Sequence, residues 1–334
     1  MKEMIRFEAK RCAGSRETKL VVLFSFLIAL GHFLSFCIWY VGYRQGGVMG
    51  AEELKYMADK PDFNTVYPAC LYEGFIGGEA YTFWNSVYFY ILPVLAALPF
   101  GWSYFQDETT GYLRQIYSRV SRSQYLTAKM IVTFCSGAVG GALTYILSFA
   151  ANALYLPAVK PNEVAQHTFI TNRMFMAEWY FSKPWLYFGV YLLIIMLCGG
   201  LLAVSSLLIS FVARNRLIIC MFPFILYLSA DYLLMELGLE KYSIAGIINP
   251  MMADSKVDMN FPLIAGIFGI LLLLCVFSFW WIGCHRKRNR IKGYQSGILW
   301  RKDLWSAGKE WLRKNDADAL YCRSGPSGTG RDHY

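Results

Sequence analysis

Six apolar runs constrain this chain more than any other feature of its sequence. Each is long enough to cross a lipid bilayer as a helix, which requires roughly 20 mostly apolar residues. We place them at residues 20–42, 83–105, 130–156, 185–212, 217–235 and 262–283. Five of the runs contain no Asp, Glu, Lys or Arg, and the run at 217–235 contains only Asp231. Their length and their lack of strict alternation indicate helices rather than strands.

The composition agrees with a membrane protein. Hydrophobic residues make up 56% of the 334 residues and charged residues only 16%, whereas a soluble domain carries about 25% charge. The first run is too long for the apolar region of a cleavable signal, which has about 7–15 residues, so we interpret it as a retained span. The predicted fold class is therefore an all-α membrane protein with six transmembrane helices.

The Lys and Arg residues predict the orientation of these spans. The segments 1–19, 106–129, 213–216 and 284–334 would share one side of the membrane, and together they carry 24 Lys and Arg residues, against 8 on the other side. The positive-inside rule then predicts a cell-membrane protein with both termini in the cytoplasm. The same bias explains the formal charge of +9 through topology and attraction to anionic membrane lipid, so no nucleic acid is implied.

Three regions follow from this organisation. Residues 1–19 combine an apolar face (Met1, Met4, Ile5 and Ala9) with several bases, which predicts an amphipathic helix on the inner leaflet. A disordered basic leader is the alternative. Residues 20–283 form the six-span membrane domain, and residues 284–334 form a basic cytoplasmic tail.

A polar stretch between the second and third runs, residues 106–129, is long for a simple connection. Within it, Leu113, Ile116, Tyr117 and Val120 lie at i, i+3, i+4 and i+7, the spacing of one apolar stripe on a short helix. We expect Thr109 or Thr110 to cap its start and Ser121 to cap the helix that follows. A helix fixed in this way between two spans could bind a partner and transmit its movement.

The sequence contains no constellation that points to chemistry. The four histidines, at 32, 167, 285 and 333, have no metal-ligand spacing, and no loop with the Walker lysine is present. Cys70 is the only cysteine in a predicted external loop, so no external disulfide framework can form. We therefore expect no catalytic, cofactor or metal site in this chain.

The chain resembles the permease subunits of ABC exporters of the second type over most of its length. The resemblance rests on "IRFEAKR" before the first span, on the apolar "INP" element between the last two spans, and above all on "DETTGYLRQIYSRVSRSQYLTAK". In that family an acidic residue and a glycine precede a short coupling helix, and "SR" and a lysine lead into the third span. The matching positions here are Glu108, Gly111, Ser121, Arg122 and Lys129.

The resemblance implies a division of labour in which this chain is not an enzyme. A separate cytoplasmic ATP-binding subunit would bind ATP and contact both the N-terminal helix and the helix at 108–122. A second permease chain, identical or different, would complete the pathway. Arg114, Arg119 and Arg122 are the candidate contacts to the ATPase, with lipid phosphate as their alternative partner.

Other functions stay open at this stage. A secondary transporter would need buried ionisable groups, and the spans offer only Asp231 and His32. Asp231 is a candidate for the substrate pathway, although capping or pairing near the outer interface is the alternative. A sensor or immunity protein that binds a ligand through the loop at 43–82 is a third reading. The substrate itself is not encoded in any recognisable pattern.

Overall fold

The computed structural model describes residues 1–44, 70–78, 83–161, 170, 174–239, 242–250, 261–279 and 281. The chain divides into two compact units, Met1–Ser278 and Phe279–Tyr334, and nearly all of the description concerns the first. The predicted tail at 284–334 lies outside the described residues.

The described part of the chain is built from helices. Their bounds, in chain order, are α1 Lys2–Ala13, α2 Arg16–Arg44, α3 Leu71–Gly74, α4 Phe83–Ala97, α5 Ser103–Thr109, α6 Tyr112–Tyr117, α7 Arg122–Ala153, α8 Ala177–Ser182, α9 Pro184–Ile209, α10 Arg216–Glu236, α11 Ile244–Ile248 and α12 Phe261–Phe279.

Five of the described helices are long and apolar enough to cross a membrane. They are Arg16–Ile38 within α2 and the whole of α7, α9, α10 and α12. Their bounds match five of the predicted runs, although α7 begins eight residues before the predicted start at Met130 because Ser121 caps it. The Ser121 hydroxyl accepts from the backbone N–H of Gln124, as expected. The described part of the chain is thus all-helical and contains five candidate spans by length and composition.

The second predicted run, residues 83–105, is divided between two helices. It forms α4, which has 15 residues, and then a turn that leads into α5. Pro99 lies in this turn and has no N–H to donate to the carbonyl of Leu95. That carbonyl is approached closely by α7, since a Cβ placed on Gly140 would lie 2.8 Å from the Leu95 oxygen. The predicted second span over residues 83–105 is therefore not confirmed.

The helices α7 and α9 pack together at the centre of the bundle. A Cβ added at Gly137 of α7 would lie 2.3 Å from the Cβ of Ala203 and 2.6 Å from the carbonyl oxygen of Gly199 on α9. Small residues allow helix backbones to approach this closely in membranes. Gly137 and Gly199 therefore allow the close packing of α7 on α9.

The residues just before α4 fold into the bundle, at the end opposite to α1. Phe75 and Ile76 are almost completely buried, and the Ile76 N–H donates to the Ser148 hydroxyl at 3.2 Å. That hydroxyl also lies 3.2 Å from Nδ1 of His32, so His32 is a packed, hydrogen-bonded helix residue. The remainder of the predicted external loop, 45–69 and 79–82, lies outside the described residues.

Candidate functional site: a buried ion network

A buried lysine joins the N-terminal helix to the segment between α4 and α7. The Nζ atom of Lys129 on α7 lies 2.6 Å from Oδ2 of Asp107 on α5 and 3.1 Å from Oε2 of Glu8 on α1. All three side chains have 0% exposure. Three separate stretches of sequence therefore meet at one ammonium group.

Two further side chains complete this network, which we call the ion network (Glu8, Arg11, Asp107, Tyr125 and Lys129). The Arg11 guanidinium donates to Oδ1 of Asp107, and its other terminal nitrogen lies 3.8 Å from Glu8. The Tyr125 hydroxyl donates to Oδ2 of Asp107 at 2.5 Å. The positive charges of the two bases thus balance the negative charges of the two acids. Buried charges are tolerated when they are paired in this way.

The aromatic residues around the ion network reinforce it. The Lys129 ammonium lies 4.5 Å from the centre of the Phe100 ring, and the Arg11 guanidinium lies 5.1 Å from the centre of the Tyr112 ring. Both distances are within the range of cation–π attraction. Tyr112 is the first residue of α6, so the network also reaches that helix.

Neighbouring charges keep Asp107 and Arg11 ionised despite their burial. Burial alone would raise the pKa of Asp107, but the Lys129 ammonium and the hydrogen bonds from Arg11, Lys129 and Tyr125 outweigh it and hold the pKa below its ordinary value of 3.8. Burial alone would lower the pKa of Arg11, and the carboxylates of Asp107 and Glu8 outweigh that effect and raise it. At neutral pH both groups are charged.

A second ion pair lies at the same end of the bundle. Asn215, in the turn between α9 and α10, caps the start of α10. Its side-chain oxygen accepts a hydrogen bond from the Leu217 N–H at 2.9 Å. In the next residue, Arg216, Nη2 lies 2.7 Å from Oε1 of Glu17 at the start of α2. The central carbon of the Arg216 guanidinium lies 3.8 Å from the centre of the Trp102 ring. This pair is partly exposed, so solvent screens it and its contribution to stability is small.

The helix α6 is held against the bundle by its apolar residues. Leu113 and Ile116 are 3% and 8% exposed, as the sequence stripe predicts. Its cap differs from the prediction. Gly111 precedes it with φ +76°, and the hydroxyls of Thr109 and Thr110 donate to the carbonyl of Gln106. These threonines therefore belong to the end of α5.

The predicted partner-contact residues surround this short helix. Arg114 lies on α6 and Arg119 in the turn after it, and both are exposed, whereas Arg122 begins α7 and is half-buried. Glu108 is half-buried beside the ion network. Gly111 provides the left-handed residue at the start of α6. The structure thus brings these residues to one end of the bundle.

Asp231, the predicted pathway candidate, lies away from the ion network. It is half-buried on α10 and accepts a hydrogen bond from the hydroxyl of Ser243. Ser243 in turn caps α11, because its hydroxyl accepts from the Gly246 N–H at 3.4 Å. This geometry agrees with the pairing alternative for Asp231.

Sequence reasoning missed the central acids of the site. Glu108 was named there only as a candidate contact to a partner, and Asp107 and Glu8, the carboxylates that contact Lys129, were not named. Lys129 is the last base before a long uncharged run, a position that ordinarily holds an exposed interfacial base, so the sequence carries no signal that it is buried.

Comparisons with known proteins leave the chain without a family assignment. No family model, no curated protein and no solved structure matches it. Among the described residues, no group of His, Cys, Asp and Glu could hold a metal ion.

Proposed function

We propose that this chain is the permease subunit of an ATP-driven exporter. It would move a substrate outward through a bundle of membrane helices in the cell membrane, with both termini in the cytoplasm. A separate cytoplasmic subunit would bind and hydrolyse ATP, and a second permease chain would complete the pathway.

The contacts of Lys129 are the observation that carries this proposal. Lys129 holds α1 and α5 to the start of α7 through two buried carboxylates. A force applied to α1, or to α6 through the adjoining α5, would therefore reach α7, because a paired buried charge is costly to separate. α7 packs on α9 at the centre of the bundle, so the movement would continue into the membrane region.

The surface beside the ion network supports a protein partner at this end. Arg114 and Arg119 are exposed, while Leu113 and Ile116 fix the helix beneath them. A rigid helix with outward bases would present the same surface throughout a transport cycle. In this proposal, these arginines contact acidic groups on the ATP-binding subunit.

Photo-cross-linking in native membranes tests this proposal. A photoreactive amino acid would replace Arg114 or Arg119 in the full chain. The matched control would replace Lys183, which is also exposed but lies just before α9, at the opposite end. We expect positions 114 and 119, and not 183, to cross-link a protein with ATP-binding motifs. Labelling of lipid alone at 114 and 119 would overturn the proposal.

A further inference from the structure

An apolar groove separates α1 and α2 from the outer side of α7. Its volume is about 350 Å³, which lies in the range of sites that hold small apolar ligands. Its lining residues come from all three helices and from Pro99. They include Ile5 and Ala9 on α1, Val22 on α2, and Ile131, Val139 and Leu143 on α7.

The polar side chains of this lining are already satisfied. The Thr18 hydroxyl donates to the carbonyl of Cys12 at 2.8 Å, and the Ser136 hydroxyl donates to the carbonyl of Thr133 at 3.0 Å. Among the described residues, the lining contains no charged side chain. The chemistry of the groove therefore suits a hydrocarbon chain and excludes a polar substrate.

The length of the groove corresponds to one leaflet. From Ile131 to Leu143 the α7 axis rises about 18 Å at the usual rise per residue, slightly more than half of a hydrocarbon core that is about 30 Å thick. Val139 is 58% exposed, so the groove is open along the side of the bundle. A lipid tail could enter it laterally and extend from the α1 interface to the middle of the membrane.

The rim of the groove on α1 is basic. Lys2 lies three residues before Ile5, and Arg6 three residues before Ala9, so both bases share the edge of the lining face. Both are exposed. Glu8 and Arg11 are neutralised within the ion network, mainly by Lys129 and Asp107, and the exposed bases of α1, Lys2, Arg6 and Lys10, outnumber its one exposed acid, Glu3. The free charge at the mouth of the groove is therefore positive and complements a lipid phosphate.

We propose that this groove binds one acyl chain of an anionic phospholipid from the leaflet in which α1 lies, with its phosphate paired to Lys2 and Arg6. This site is independent of the proposed export function. A lipid bound there would hold α1 against α2 and α7, next to the ion network. It would make the position of α1 dependent on the lipid composition of the membrane.

A photoreactive lipid tests the site in the full chain. The probes are phosphatidylglycerol and phosphatidylcholine that carry the same diazirine-labelled acyl chain, each added as a minor component of phosphatidylcholine vesicles containing the protein. Mass spectrometry then locates the cross-links. We expect phosphatidylglycerol to label the groove residues of α2 and α7 more strongly than phosphatidylcholine does.

Two kinds of variant separate tail binding from headgroup binding. Val139→Trp fills the groove and should reduce its labelling several-fold. The control Ile146→Trp lies two turns along the same helix face, is 42% exposed, and should leave labelling unchanged. Lys2→Gln and Arg6→Gln should each reduce the preference for phosphatidylglycerol over phosphatidylcholine about fivefold. This factor corresponds to the roughly 1 kcal/mol by which one base near the surface attracts anionic lipid.

Three results would overturn the proposal. Labelling spread evenly over the exposed faces of the bundle would show ordinary contact with bulk lipid. Equal labelling by the two probes would show that the site does not select an anionic headgroup. A change of oligomeric state in Val139→Trp with unchanged labelling would show that a second copy of the chain occupies the groove.

Discussion

The ammonium group of Lys129 lies 2.6 Å from Oδ2 of Asp107, and neither side chain is exposed to solvent. The two residues come from different helices, and Glu8 of α1 shares the same ammonium group. Removing one member of such a buried group leaves the other charges uncompensated, which costs more than the intact group contributes. This relationship makes the position of α1 sensitive to single substitutions.

Lys129→Met should strongly destabilise the protein. The substitution leaves Glu8 and Asp107 buried around an apolar side chain, and breaking a buried pair in this way costs about 3–5 kcal/mol. The melting temperature of the purified chain in mild detergent measures the effect. Lys10→Met, at an exposed position of α1, is the control and should change little. A Lys129→Met protein as stable as the wild type would show that the ion network does not hold these helices together.

The contribution of Asp107 should depend on pH in the acid range. Its folded-state pKa is below the ordinary value of 3.8, so its stabilisation is present above that value and is lost as the pH falls through the lower pKa. The melting temperatures of wild type and Asp107→Asn should therefore converge as the pH is lowered below about 4. A difference that stays constant down to the lowest accessible pH would contradict the charged state assigned to Asp107.

Gly111→Ala should cost about 1 kcal/mol of stability through the backbone alone. Gly111 has φ +76°, and no described heavy atom would contact an added Cβ, so the left-handed conformation is the only source of strain. The control is Gly189→Ala within α9, where a Cβ likewise meets no described atom and the helical backbone favours alanine. Thermal unfolding should distinguish them, and equal effects would argue against the left-handed turn before α6.

Gly137→Ala should weaken the packing of α7 on α9. The added methyl group would lie 2.3 Å from the Cβ of Ala203, so the two helices would have to separate. Gly266→Ala on α12, where no described atom lies within 4 Å of the new Cβ, is the matched control. We expect a lower melting temperature for Gly137→Ala only. Wild-type stability in this variant would mean that the close helix contact is absent.

Asp231→Asn should leave expression and stability nearly unchanged. An asparagine oxygen can still accept the hydrogen bond that the Ser243 hydroxyl donates to Asp231. Ser243→Ala should be more harmful, at about 1 kcal/mol, because it removes the cap of α11. Comparing the two variants by thermal unfolding separates these roles. If transport by Asp231→Asn also equals that of the wild type, Asp231 does not contact the substrate.

The spans could be predicted because their cause is local. An uninterrupted apolar run such as residues 185–212 requires a membrane helix wherever it lies in the chain, and the structure places α9 at Pro184–Ile209. The division of residues 83–105 was harder to predict. Pro93 and Pro99 suggest a kink, but whether a helix bends or ends depends on the neighbour that packs on it, here Gly140.

The ion network could not be predicted because its cause is tertiary. Glu8 and Lys129 are separated by 121 residues, and no periodicity links them. Asp107 and Glu108 are adjacent acids with the same chemistry, and only the orientation of α5 determines which of them faces Lys129. The sequence pattern alone therefore does not distinguish Asp107 from Glu108.

Co-purification tests the central claim most directly. The full chain would be isolated from its native membrane in mild detergent, and the associated proteins identified for wild type, Arg119→Glu and the control Lys183→Glu. Our account predicts that a soluble ATPase accompanies wild type and Lys183→Glu and is reduced in Arg119→Glu. If no ATPase accompanies the wild type under any mild condition, the proposed exporter function is wrong.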